Sequence, residues 1–189
     1  MSLLWLPMPS GRTHDSITLW SLPFIAIATG WITQNSQFVL ILSGCFLFSG
    51  LMFGPDLDIH SQQYKRWGWL RWIWLPYRHS MSHRSLLSHG PMIGTIVRIL
   101  YLLTLGLTVV VSGLVGWAIA QQSLGLVDNW VTLVQPIGKQ SWAVLQRTVQ
   151  HHWPSLLAGL IGLEIGAMSH SLSDWLGSGW KQLQKRGRR

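Results

Sequence analysis

The sequence predicts an all-α protein, an integral membrane bundle of about four transmembrane helices with a short interfacial helix. Three observations carry that expectation. Of the 189 residues 48% are apolar and only 11% are charged, a balance unlike that of a soluble domain. Long apolar stretches recur, and none shows the strict alternation that a membrane β-barrel requires. Trp is used 13 times, much of it in one stretch mixed with Lys and Arg, as at a membrane–water interface.

The spans are expected at about Ile17–Thr33, Phe38–Phe53, Ile99–Ala120 and Ser155–Met168, each near the length that a ~30 Å hydrocarbon layer demands, the fourth being short. The last two bracket a long polar connection. The first begins too far into the chain, and lacks a small-residue cleavage pattern after it, to be read as a signal peptide, and is expected to be retained. Between the second and third spans, residues 64–78 alternate Trp with base and are too charged to cross a bilayer. This stretch is expected to lie in the interface, either as an anchoring belt or as a shaped approach for an amphiphile.

Orientation follows from Lys and Arg. Arg12 precedes the first span, and no basic residue separates the first two. Lys65, Arg66, Arg71, Arg78 and Arg84 fill the next connection, and Lys181, Lys185, Arg186, Arg188 and Arg189 follow the last span. The positive-inside rule then puts both termini and the 54–91 connection of this multi-pass chain in the cytoplasm. A single domain over 1–180 with a basic tail at 181–189 is expected. The net charge of +8 is read as topology signal and contact with anionic lipid, not as a nucleic-acid surface. The only cysteine, Cys45, excludes an internal disulfide and a Cys-type zinc motif.

Against this background the acidic residues stand out. There are only six, and four of them accompany histidine: His14-Asp15, Asp56-Leu-Asp58-Ile-His60 and His170-Ser-Leu-Ser-Asp174, with His83 and His89 as a further pair. Imidazole and carboxylate are together the ligand set for zinc, manganese or iron. All these clusters fall at the expected cytoplasmic ends, although they were picked by residue type and the topology by hydropathy. One shared metal site follows, with His14, Asp56, His60, His83, His89, His170 and Asp174 as ligands.

Each has a plainer reading. Asp15 would suit the positive start of the first helix, with Ser10 or Thr13 as its cap. Asp56 and Asp58 follow Gly54-Pro55, where a turn after a helix also uses Asp as a cap; in extended backbone, Asp56, Asp58 and His60 would instead face one way. His170 and Asp174 are four apart and share a helical face. His83 and His89 are six apart and need an irregular segment to meet. Glu164, inside the fourth span, is costly there and expected to face a partner or relay a proton. Gly159, Gly162 and Gly166 around it allow close helix packing. His79, His151 and His152 have no acidic neighbour and are left aside.

The blocks 9–15, 54–61, 83–90 and 170–174 resemble an uncharacterised family of bacterial metal-binding membrane proteins. That family is similar in turn to the YdjM-type membrane-bound metal-dependent hydrolases, with Pro-Asp-x-Asp after one span and a His-Arg and His-Ser pair before the next. This chain has Gly90 where the YdjM type has Ser. The His-x-x-x-Asp pair is more distantly like that of zinc-dependent phospholipase C. The resemblance implies a metal-dependent hydrolase.

The ligand groups exceed what one four-coordinate ion takes, so one or two divalent ions, zinc first, are expected. Bound water would attack a phosphoester, with Asp15 or Asp58 as general base and Arg84, with Arg98, on the phosphate. Location at the membrane boundary favours a lipid-linked substrate. The alternative is a non-catalytic metal-binding membrane protein, structural, sensing or carrying; a transporter comes third. The oligomeric state stays open.

Overall fold

The computed structural model describes residues 11–82 and 85–186, with side chains placed over 13–82 and 85–173. The described residues are helical with no strand. The α-helices in chain order are α1 (Gly11–Thr33), α2 (Ser36–Leu51), α3 (Gln62–Lys65), α4 (Leu75–Ser80), α5 (Leu86–His89), α6 (Ile93–Ser123) and α7 (Val131–Arg186), and 3-10 turns cover Pro55–Asp58 and Gly68–Trp74. Four helical segments are long and apolar enough to cross a membrane: Thr13–Thr33, Ser36–Asp58, Ile93–Ser123 and Val131–Ser173.

The α1–α2 hairpin turns on two residues. Gln34 takes a positive φ of 49°, and Asn35, in extended backbone, accepts a 2.8 Å hydrogen bond from the Gln37 N–H through its side chain. That satisfies a backbone donor which the first turn of a helix leaves orphaned. α2 stops after Leu51, where Gly54 and Pro55 bring the chain into the 3-10 turn. Of the two readings of 56–60, a turn after the helix or an extended segment, the structure shows the turn. Pro55 has its fixed φ at the start of a tight turn that carries Asp56 and Asp58.

The fourth apolar element also differs from expectation. It begins at Val131, so the polar connection expected before Ser155 is mostly helix. Gln135, Lys139, Gln140, Gln146, Arg147 and Gln150 lower the hydropathy of this stretch, but Gln, Lys and Arg are good helix formers. Asn129 starts the helix by accepting from the Val131 N–H at 2.9 Å, and the Gln122 side chain accepts from the Trp130 N–H at 3.0 Å. Pro136 and Pro154 stand inside α7, each removing one backbone donor from the ladder.

The chain forms two compact units: residues through Arg98 together with those from Leu157 onward, and Ile99–Leu156. The first unit holds the candidate site. Its core is largely aromatic. The rings of Phe53 and Trp74 meet edge-on at 5.8 Å, those of Trp67 and Trp74 at 5.2 Å, and those of Trp74 and Tyr77 at 5.5 Å. The Trp-rich 64–78 stretch is thus divided. Trp74 and Tyr77 are buried, and the Trp67 indole N–H donates to Met52 O at 2.8 Å. Trp69 and Trp72 stand out, 79% and 56% exposed, beside Arg71.

Within this unit α7 lies on α2 at backbone distance, as its glycines led us to expect. A Cβ on Gly162 would strike Leu42 O, and one on Gly166 would strike Phe46 O. Gly159 faces Ile41 and Cys45 at ordinary contact distance. Gly113 in α6, by contrast, has nothing within 4 Å of an added Cβ. We therefore expect Gly162→Ala and Gly166→Ala each to destabilise the protein by about 1–3 kcal/mol, the usual cost of overpacking. Gly113→Ala should be neutral or stabilising by up to ~1 kcal/mol. Thermal melts in detergent check the difference in sign.

Candidate metal centre

Four separate stretches of the first unit bring imidazole and carboxylate together: the start of α1, the 3-10 turn after α2, the α5 turn before α6, and α7 beyond Gly166. The centre of the group is Asp56. Its Oδ2 lies 3.1 Å from His170 Nε2 and its Oδ1 3.7 Å from His89 Nε2. His89 Nδ1 is also 3.8 Å from Asp58 Oδ2. The His14 and His170 rings stack at 3.9 Å with planes 30° apart. His14 and His170 are 6% and 4% exposed.

Each partner is held by local chemistry. Ser61, N-cap of α3, accepts from the Tyr64 N–H and donates to Asp56 O at 2.8 Å, closing the turn that carries Asp56. Ser85 caps the single turn of α5, and the Ser88 hydroxyl stands 2.9 Å from His89 Nδ1. Arg98 is 1% exposed, donating to Ser88 O at 2.9 Å and to Thr95 Oγ1 at 3.1 Å. Its guanidinium is thus spent on holding the α5 turn, and this corrects the expectation that it grips a substrate phosphate. The charges of Asp58 and Glu164 and the Tyr77 phenol act on this same buried arginine, which supplies the opposite charge that a fully buried Asp58 side chain needs. Burial pushes the Tyr77 phenol up, against the opposing pull of Arg98.

Asp15 lines the same recess but is engaged elsewhere. Arg66 donates to both of its oxygens and also to Leu51 O at 2.9 Å. This bidentate pair raises the Arg66 guanidinium above its ordinary value, chiefly through the hydrogen bonds to Asp15, so Arg66 is charged throughout the physiological range. Glu164 caps a helix: its Oε1 accepts from the Met92 N–H at 2.7 Å, ahead of the first turn of α6. A carboxylate there answers both the orphaned N–H groups and the positive end of the helix dipole.

His60 goes a different way. It is exposed, its ring edge-on to Tyr64 at 5.5 Å, and it does not line the recess formed by His14, Asp15, Asp56, Ser61, Gln63, His170 and their neighbours. That recess is small and open, about 20 Å³, room for a single ion or water. His83, Arg84 and the Asp174 side chain lie outside the described residues. Sequence reasoning missed Arg66, Ser173 and Ser88, because Ser and Arg near helix ends carry no signal of the side chain they will meet.

The donors suit a borderline divalent cation, since they are nitrogen and carboxylate oxygen without thiolate. Neighbouring ligands of a four-coordinate zinc, each at ~2.0–2.1 Å from it, stand ~3.3 Å apart, and Asp56 meets two imidazoles near that spacing. Among the described residues, no three His, Cys, Asp or Glu side chains are gathered around one point.

Residues 9–184 match the family described as uncharacterized metal-binding protein, DUF2227, and the chain belongs to that family. No curated protein matches it. No solved structure does either.

The Asp15–Arg66 pair is partly exposed, so its worth is modest. A double-mutant cycle with Asp15→Asn and Arg66→Gln is expected to give a coupling energy of about 0.5–1 kcal/mol, falling as salt is added. A coupling of zero in chemical denaturation would show that the pair adds nothing to stability.

Proposed function

We propose that this member of the family is an integral membrane protein that holds a divalent transition metal, zinc before manganese or iron, at the cytoplasmic ends of its spans. There it would act as a metal-dependent hydrolase on a phosphoester or lipid-linked substrate. The observation that carries the reading is Asp56, one carboxylate with an imidazole nitrogen at 3.1 Å on one oxygen and another at 3.7 Å on the other. His14, Asp56, His89 and His170 are the residues that would hold an ion, with His83 and Asp174 next to them in sequence.

The membrane part rests on the candidate spans and on what they leave uncovered. Trp20, Phe24, Ile27 and Trp31 on α1 are each at least 70% exposed, as are Leu40 on α2 and several apolar side chains of α6 by half or more. Such surface is stable in hydrocarbon and costly in water. The Lys and Arg distribution supports cytoplasmic termini in a bacterial inner membrane, and Trp69, Arg71 and Trp72 suit the headgroup layer.

A bound divalent ion would lower the pKa of a coordinated water toward neutrality and polarise a phosphoryl oxygen. The protein's own part is to fix the ligands and keep the recess open on one side. His14 and His170 form a wall of stacked rings, Asp56 supplies the central negative charge, and Arg66 holds Asp15, which lines the recess. The motif resemblance to YdjM-type hydrolases supports the hydrolytic reading. A non-catalytic metal-binding role is the second reading, and one observation favours it. Both oxygens of Asp15 are on Arg66 and the Asp58 side chain is fully buried, so among the described residues neither expected base is disengaged.

Elemental mass spectrometry of detergent-purified protein is expected to find one or two equivalents of a transition metal, and close to none in Asp56→Asn and His170→Ala. A wild type that stays metal-free after reconstitution would refute the reading. Given metal, release of inorganic phosphate from phosphatidic acid micelles that both variants abolish supports hydrolysis. A metallated protein inert toward a panel of phosphoesters leaves the non-catalytic reading standing.

A further inference from the structure

We infer that Ser173 is a positioning residue that fixes the tautomer of His14, so that Nδ1 carries the proton and Nε2 the lone pair. The inference deepens the metal reading above and rests on it only for its consequence, since the tautomer can be read without metal.

Two short contacts meet at one hydroxyl. Ser173 Oγ is 2.7 Å from His170 O and 2.6 Å from His14 Nδ1. A carbonyl oxygen only accepts, and two oxygens 2.7 Å apart repel unless a proton lies between them, so the single hydroxyl proton goes to His170 O. The Ser173 oxygen then has only lone pairs to offer the imidazole. His14 Nδ1 must donate, and in the neutral ring Nε2 is left as the basic nitrogen. The relay N–H to O–H to carbonyl satisfies both contacts at once and polarises each bond in the same direction.

The ring so aimed is held in place by a second contact. The His14 ring stacks on that of His170 at 3.9 Å, both nearly buried. A metal ligand is a neutral imidazole whose other nitrogen donates to a fixed acceptor, and that acceptor sets both ring orientation and basicity. Ser173 therefore does for His14 what a carbonyl or carboxylate commonly does. Helix α7 contributes both His170 and, three residues on, the group that aims the histidine of α1. The His-Ser-Leu-Ser-Asp run thus serves two ligands, not one.

Histidine side-chain ¹⁵N NMR of the metal-free protein in detergent tests this directly. Wild type and Ser173→Thr, which keeps the hydroxyl, are expected to show His14 as the Nδ1–H tautomer. Ser173→Ala, harmless to a helix, should give a mixture or the Nε2–H form. Zn²⁺ affinity, measured by competition with a chelating dye, should fall ~10–100-fold in Ser173→Ala and recover in Ser173→Thr. An Nε2–H tautomer in wild type, or an unchanged one in Ser173→Ala, overturns the inference. The expected tautomers in a protein that binds no Zn²⁺ would uphold the role of Ser173 and overturn the metal reading instead.

Discussion

Two helices can approach until their backbones touch only where one of them gives up its side chains. α7 does so at Gly162 and Gly166, against Leu42 and Phe46 of α2, and much of the site depends on it. Residues four apart lie one above the other on a helix, so the row that begins with Gly162 and Gly166 continues to His170. Seating the glycines on α2 brings His170 to the level at which α2 has ended and the 3-10 turn presents Asp56. The 3.1 Å contact between them is set by packing a full turn or more away. A side chain at Gly166 would push His170 outward with the rest of α7.

The scarcity of acid is the second constraint. Four of the five described carboxylates, all but Asp128 in the α6–α7 connection, meet a specific partner. Asp15 binds Arg66, Glu164 closes the N-terminus of α6, Asp58 sits fully buried within the field of Arg98, and Asp56 faces two imidazoles. A buried charge without a partner is expensive, so such residues persist where a specific partner offsets that cost. The partners differ in kind. Those of Asp15 and Glu164 are a guanidinium and a backbone N–H, whereas those of Asp56 are histidines.

Membership of a family described as metal-binding directs attention to Asp56 and the histidines beside it. His60 is turned to solvent against Tyr64, although it closes the Asp-x-Asp-x-His run. Ser173 and Ser88 enter instead, each with a hydroxyl on the Nδ1 of a histidine. A ligand set is defined as much by what orients its rings as by the rings themselves.

The sequence by itself determined the helical class, the apolar segments and the close helix packing at the α7 glycines, and it singled out His14, Asp56, His60, His83, His89, His170 and Asp174 as chemistry-bearing positions, of which the structure brings His14, Asp56, His89 and His170 near one another. These are local or compositional properties: hydropathy over a window, helix-breaking at Gly54-Pro55, and the cost of a carboxylate beside apolar chain. Only the tertiary structure decided that Asp15 belongs to Arg66, that Arg98 is a buried brace for the α5 turn and that Glu164 caps α6. Those partners lie 51, 10 and 72 residues apart in the chain. Which of several equivalent donors an oxygen meets is fixed by how helices pack, and no local pattern encodes it. The extent of α7 was hidden for a different reason. Gln, Lys and Arg lower hydropathy while favouring helix, so the polarity that marks a loop to one criterion continues the helix by another.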